Sequence, residues 1–276
     1  NSALSSISYG THVLAWTVRN GVCPPSVSQV SVRRDEMPSP ADAGPDQQFC
    51  ADSTTLSGST PAIGTGTWSF LSGSGTIVNP ASATSKVSGL SPGNYVLQWE
   101  IRNGTCPASV STLNLQVDAP VSPVHAGSDI ALCTDSTLLS ANPPIAGSGL
   151  WQLVSGSATL SNPSDPNSAL VGIAPGNTVL RWKVNNGTCS DSDLVVVTRA
   201  LPPSPASAGP DQLICATSAS LDANQPSSGT GTWSAASGSA TFGNPSDPKD
   251  QVNNLSNGDN LLVWTIRSGV CQPETD

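Results

Sequence analysis

The sequence reads as an all-β protein, a tandem array of antiparallel β-sandwich modules of about 83 residues. Three observations predict this. One stretch recurs four times: VLAWTVRNGVC (Val13 to Cys23), VLQWEIRNGTC (Val96 to Cys106), VLRWKVNNGTC (Val179 to Cys189) and LLVWTIRSGVC (Leu261 to Cys271). Within it, apolar and polar residues alternate with period 2, the pattern of a half-buried strand. Between copies lie short apolar runs separated by Gly, Pro, Asn and Ser clusters, with no helical periodicity.

The cysteines measure the repeat. Cys23, Cys106, Cys189 and Cys271 are spaced by 83, 83 and 82 residues, and Cys50, Cys133 and Cys215 by 83 and 82. All seven Cys and all seven Trp occupy repeat positions, so the unit is one module copied in tandem. At this length each module can hold its own core. The expected division is 1–37 as the C-terminal half of a module, 38–120 and 121–202 as modules, and 203–276 as a module lacking its last strand. The partner of Cys23 is expected upstream of residue 1, so the chain reads as a window from a longer protein.

Residues 38–120 illustrate the elements in order. Pro38, Pro40 and Pro45 stiffen the entry, and Gln47 to Cys50 is a first short strand. Thr54 to Ser57 is a second, with Leu56 inward. Thr65 to Phe70 carries alternating Gly66 and Trp68, and the glycine admits a close neighbour. Thr76 to Val78 is a strand closed by Asn79-Pro80, and Ser85 to Ser88 precedes the turn Ser91-Pro92-Gly93. The repeated strand follows, with Leu97, Trp99 and Ile101 on one face. Asn103-Gly104 predicts a two-residue type I′ hairpin, which sets Cys106 opposite Ile101 on the core face beside Trp99. A long last strand runs to Val117. Its inward residues change phase between Val110 and Leu113, which predicts a β-bulge near Ser111-Thr112. The third copy is one residue shorter there and is expected to lack it.

Only 11% of residues are charged and the net charge is −9, which excludes nucleic acid and anionic membranes as partners. No transmembrane run is present, so no membrane insertion is expected of these residues. Cysteines at fixed spacing, without CxxC motifs, point to disulfides and an oxidising compartment. The constant 56-residue interval predicts one bridge per module: Cys50–Cys106, Cys133–Cys189 and Cys215–Cys271, with Cys23 unpaired. Each such bridge stabilises by about 4 kcal/mol in the chain-entropy model.

The pattern AGPDQ, C, TTLSG, GTGTWS, then a PG turn and the repeated strand resembles PKD-like and immunoglobulin-like repeats of large surface proteins of gliding, Bacteroidetes-type bacteria. The resemblance covers the three longer modules and the partial first one. It implies an Ig/PKD-like sandwich and a role in surface attachment. The chain lacks a WDFGDG-like segment, and Tyr95 is replaced by Thr178 and Asn260 in later copies. Asp52-Ser53-Thr54 and Asp135-Ser136-Thr137 resemble the acceptor of the O-glycosylation system of such bacteria. A solvated strand start is the plainer reading of Ser53 and Ser136.

Other candidate sites are weighed against ordinary roles. Gly89-Leu90-Ser91-Pro92-Gly93 matches GxSxG, but it lies between strands and reads as a turn rather than a nucleophile elbow. Asp46, Asp129 and Asp211 recur at each module entry. Capping the entry turn is their first reading, and a calcium site at the junctions is the alternative; no other cofactor is expected. Asn103-Gly-Thr105 and Asn186-Gly-Thr188 match the N-glycosylation sequon, although the turn already explains them.

These observations predict a non-enzymatic structural and adhesive array in a long extracellular, cell-surface filament, whose partners are surface polysaccharide or another extracellular surface and neighbouring filament chains. The alternative is a spacer or carbohydrate-binding array of a secreted hydrolase. Proline-rich junctions at Pro38 and Pro40, Pro120 and Pro123, and Pro202, Pro203 and Pro205 favour extended linkers.

Overall fold

The computed structural model describes residues 3–276, and no helix occurs among them. These residues form two compact units, one of residues up to 120 with 186–189, the other of 121–185 with 190–276.

In the first unit, β1 (Gly10–Val18) and β2 (Ser26–Arg34) form an antiparallel hairpin registered from Gly10↔Arg34 to Val18↔Ser26. The complete module follows with β3 (Gln47–Phe49), β4 (Ser53–Thr55), β5 (Thr65–Ser72), β6 (Thr76–Ile77), β7 (Lys86–Ser88), β8 (Gly93–Arg102) and β9 (Ser109–Val117). They build a four-stranded sheet, β3-β9-β8-β5, and a three-stranded sheet, β4-β7-β6. This is an immunoglobulin-like strand order. One pair is not antiparallel: β3 runs parallel to β9, with Gln47↔Leu115 and Phe49↔Val117.

Alternation fills the space between the sheets. Leu97, Trp99 and Ile101 from β8 and Leu113 and Leu115 from β9 meet Leu56, Trp68 and Val87. Trp68 and Trp99 pack with ring centroids 5.0 Å apart. Gly66 lies directly beneath the Trp99 ring, where a β-carbon would overlap the indole. Burial of the indoles is compatible with their N–H groups because each finds an acceptor: Trp68 Nε1 donates to Ala83 O at 3.2 Å and Trp99 Nε1 to Ser59 O at 3.0 Å.

Residues 130–199 repeat this plan. β10 (Ile130–Leu132), β11 (Ser136–Leu138), β12 (Ser148–Ser155), β13 (Thr159–Leu160), β14 (Ala169–Val171), β15 (Gly176–Asn186) and β16 (Cys189–Arg199) form sheets β10-β16-β15-β12 and β11-β14-β13. The last module has β17 (Ala219–Ser220), β18 (Thr230–Ser237), β19 (Thr241–Phe242), β20 (Gln251–Asn253), β21 (Leu261–Arg267) and β22 (Glu274–Thr275), in sheets β17-β20-β19 and β18-β21-β22. Its segment 212–214, equivalent to β3 and β10, forms no strand. Its tryptophans pair as in the other modules, but the buried Nε1 atoms of Trp233 and Trp264 have no hydrogen-bond partner among the described residues.

Two expectations about the last hairpin need correction. The β8–β9 register is regular from Ile101↔Ser109 through Trp99↔Ser111 to Gly93↔Val117, so there is no bulge near Ser111-Thr112. The extra residue is absorbed in the turn. Asn103 does not have positive φ, so the type I′ hairpin does not form. Instead Cys106 N donates to Asn103 O at 3.2 Å, and Pro107, with no N–H, delays pairing until Ser109. Ser109, not Cys106, therefore faces Ile101. In the next module Ser190 replaces Pro107, and β16 starts at Cys189, with only Gly187 and Thr188 between it and Asn186. The irregularities that do occur lie elsewhere, in the third strand, between Phe70 and Ser72, Leu153 and Ser155, and Ala235 and Ser237.

Candidate functional site at the module junctions

The parallel pairing of β3 with β9 decides where the cysteines lie. Cys50 follows Phe49, which sits beside Val117 at the C-terminal end of β9. Cys106 lies before Ser109, at the opposite end of the same strand. Nine residues of strand separate the two ends by roughly 26 Å, far beyond the Cα separation of about 7 Å that a disulfide tolerates.

The expected bridges Cys50–Cys106, Cys133–Cys189 and Cys215–Cys271 are therefore replaced by a staggered set. Cys50 bonds Cys189 and Cys133 bonds Cys271, with Cα atoms 5.0 and 5.1 Å apart and sequence separations of 139 and 138 residues. Each bridge ties the end of one module's entry strand to the hairpin turn of the next module, so no module carries a disulfide of its own. Chain entropy does not choose between the schemes, since loops of either length stabilise by about 4–5 kcal/mol; geometry does. Cys23, Cys106 and Cys215 are free thiols in this chain.

A polar clamp surrounds the bridge. Asp118 directly follows β9, and one carboxylate oxygen accepts from Thr188 N at 2.7 Å and Thr188 Oγ1 at 2.8 Å. Asn186 Nδ2 donates to Ala119 O at 2.9 Å. Gln48 Nε2 donates to both oxygens of Asp118 at 3.0 Å. The Thr188 amide foremost, then its hydroxyl and the Gln48 amide, lower the Asp118 pKa to about 2. The same clamp stands one repeat earlier. Asp35 accepts from Thr105 N at 2.9 Å, and Asn103 Nδ2 donates to Glu36 O at 2.8 Å. The Thr105 amide, followed by Arg33 at 2.6 Å, holds the Asp35 carboxyl below its ordinary value.

The third junction changes all three partners together. Ala200 stands where Asp118 stood, Ser268 where Asn186 stood and Val270 where Thr188 stood. Cys271 Sγ keeps the contact to the residue after the last strand, 3.8 Å from Ala200 O where Cys189 Sγ lies 3.6 Å from Asp118 O, and adds one to Leu201 O at 3.4 Å. Losing the carboxylate together with its donors leaves no polar group stranded, which is the inexpensive way to remove a hydrogen-bonded set. This set also accounts for the sequons at Asn103 and Asn186, whose side-chain nitrogens are occupied as donors in the junction.

The remaining candidates are placed as follows. Asp46 accepts from Asn114 N at 2.8 Å and Asn114 Nδ2 at 2.9 Å, and Asp129 from Val196 N at 2.8 Å, so both extend the entry segment's hold on the last strand. Asp211, their equivalent, has no such partner among the described residues. No group of three or more His, Cys, Asp or Glu side chains gathers as a metal site among the described residues. Ser53 is half-buried at the start of β4, and Ser136 is exposed at the start of β11. The Ser91 turn is pinned by Tyr95, whose hydroxyl accepts from Ser91 N at 2.8 Å and donates to Ser91 O at 2.7 Å.

No protein-family model matches the chain, and no curated protein matches it. Several solved structures are similar to it. The A168–A170 domains of titin match with 12% identity and a TM-score of 0.39 over 86% of this chain and 96% of theirs. Extracellular domains 3–5 of Drosophila OTK match with 11% identity and a TM-score of 0.35 over 87% of this chain and 95% of theirs. The eight N-terminal Ig domains of Down syndrome cell adhesion molecule match with 11% identity and a TM-score of 0.36, over 99% of this chain and 46% of theirs.

Proposed function

We propose that this chain is a structural and adhesive repeat region of a long extracellular filament, of the kind that large surface proteins of gliding, Bacteroidetes-type bacteria carry. The observation that carries this reading is the staggered bridging of Cys50 to Cys189 and Cys133 to Cys271. A covalent tie from each module to the next suits an element that transmits load along its length, and it needs an oxidising, extracellular setting. Adhesion in such an array comes from many weak contacts to surface polysaccharide or a similar extracellular surface, added by multivalency rather than by one deep pocket. The tryptophans of the three longer modules are at most 3% exposed and offer no stacking platform for sugars, which weighs against a carbohydrate-binding array attached to a hydrolase.

Bead attachment tests this. Beads bearing many oxidised copies are expected to adhere to polysaccharide gels under flow, while a single copy shows no tight binding to soluble oligosaccharides. Failure of the beads to adhere to any extracellular surface overturns the adhesive part. Tight binding of a soluble oligosaccharide by a single copy would favour the carbohydrate-binding reading.

A further inference from the structure

We propose that the groove on the outer face of strands β3, β9 and β8 binds an extended, uncharged, β-linked polysaccharide, whose hydroxyl groups donate to a row of side-chain amides. The proposal rests on the adhesive reading and names the ligand class and one contact surface.

The register of three strands builds the row. Leu113, Leu115 and Val117 of β9 are buried, so Asn114 and Gln116 point outward. Gln48 of β3 is registered with Gln116, and so is Asn94 of β8. Gln48, Gln116 and Asn94 therefore stand side by side across three adjacent strands, and all three are exposed. One row further along, Asn114 lies beside Val96 and against Asp46. Together these residues line an open groove of about 550 Å³.

Carboxylates fix which way the amides face. Asp118 accepts from Gln48 Nε2 on both oxygens at 3.0 Å and from Gln116 Nε2 at 3.2 Å. Asp46 accepts from Asn114 Nδ2 at 2.9 Å. A carboxylate only accepts, so each amide turns its nitrogen toward it and its carbonyl oxygen away. The side-chain carbonyl oxygens of Gln48, Gln116 and Asn114 receive no hydrogen bond among the described residues, and the Asn94 side chain makes none. The groove thus presents acceptors that are oriented before a ligand arrives, which lowers the ordering cost of binding.

Such acceptors call for uncharged donors. The Asn114 side-chain amide foremost, then its backbone amide, holds the Asp46 carboxyl below its ordinary value, and that of Asp118 is lowered to about 2. Both are ionised at neutral pH, and in a chain of net charge −9 they repel an acidic polymer. Both are also engaged as acceptors already, which leaves the neutral amides as the available surface. Sugar hydroxyls are neutral donors, and strand spacing selects the shape of the chain that carries them. Neighbouring strands lie ~4.8 Å apart, close to the advance of one hexose along an extended β-linked chain. Three successive sugars therefore meet Gln48, Gln116 and Asn94. In residues 130–199 the equivalent row is Ala131, Thr198 and Asn177, and Thr198 Oγ1 donates to Asn177 Oδ1 at 3.0 Å, which takes up that acceptor. Of the two complete modules, only residues 38–120 carry the amide row.

The test is a titration of the full oxidised chain, labelled with nitrogen-15, with cellohexaose, read from the side-chain amide signals of Gln48, Asn94 and Gln116. Progressive shifts are expected, with a Kd on the order of 1 mM and little dependence on salt, because the ligand is neutral. Maltohexaose, whose α-linked chain coils, and the acidic hexamannuronate are expected to bind about tenfold more weakly. Asn94→Ala and Gln116→Ala are each expected to weaken cellohexaose binding about fivefold by removing one hydrogen bond. Thr67→Ala, on β5 outside the groove, is expected to leave binding unchanged. Retention of the Cys50–Cys189 peptide and unchanged core signals show that each variant is folded. Absence of shifts at about ten times the expected Kd, shifts confined to other residues, equal affinity for maltohexaose or hexamannuronate, or unchanged affinity in both amide variants would each overturn the proposal. If the groove fails and the beads still attach, the adhesive reading stands; if the groove binds cellohexaose and the beads fail, the adhesive reading falls and the groove remains.

Discussion

Gly66, Gly149 and Gly231 leave no room for a side chain, because a β-carbon at any of them overlaps the facing tryptophan. Gly66→Ala forces the Trp99 indole or the β5 backbone to move, at a cost of about 1–3 kcal/mol. A lowered urea midpoint for the first unit, with the disulfides intact, is the expected outcome. Asp118 gives a second residue-scale test. Its folded pKa of about 2 lies below its ordinary 3.8, so its contribution is present above the ordinary value and lost as pH falls toward 2. Asp118→Asn is therefore expected to be less stable than the parent near neutrality and equal to it near pH 2, with about pH 4 to 2 as the interval of convergence; a difference that persists undiminished in acid would assign the loss to another cause. The glycine role was legible in the sequence, since Gly66 and Trp68 alternate in one strand. The clamp was not. Asp35 and Asp118 lie 70 residues from Thr105 and Thr188, and only their joint replacement by Ala200 and Val270 in the third copy betrays the pairing.

Elements were the most readable level. Seven short strands in each of the two complete modules and their inward faces follow from period-2 alternation and turn residues, and the structure places them within a few residues of those expectations. What sequence could not supply was direction. The three-residue strand Gln47–Phe49 carries no signal for parallel or antiparallel pairing, and that one choice carries Cys50 from one end of the module to the other. Turn length misled for a related reason. Asn103-Gly104 predicts a tight hairpin, but Pro107 prevents the ladder from closing behind it. Entry segments also yield a prediction. Gln48 and Ala131 lie within paired strands, whereas Leu213 does not. Amide exchange is expected to be protected at the first two and fast across 212–214; equal protection at all three would contradict the assigned edges.

At the level of the whole molecule, the sequence revealed the period but not the connectivity. Constant spacing between cysteines of one module is equally constant between cysteines of successive modules, so spacing alone favours neither scheme. The staggered bridges overlap, one spanning 50 to 189 and the other 133 to 271. Any single backbone cut between Cys50 and Cys271 therefore leaves the two pieces covalently joined. Limited proteolysis at the linkers near Pro120 and Pro123 and near Pro202, Pro203 and Pro205 is expected to release fragments only after reduction, whereas bridges confined to modules would let them part at once. The central claim is that the disulfides link modules in sequence rather than lock each one. A peptide map of the oxidised chain, digested without reduction and with free thiols blocked beforehand, tests it most directly. Peptides joining Cys50 to Cys189 and Cys133 to Cys271 are expected, and recovery of Cys50–Cys106 or Cys133–Cys189 would contradict it.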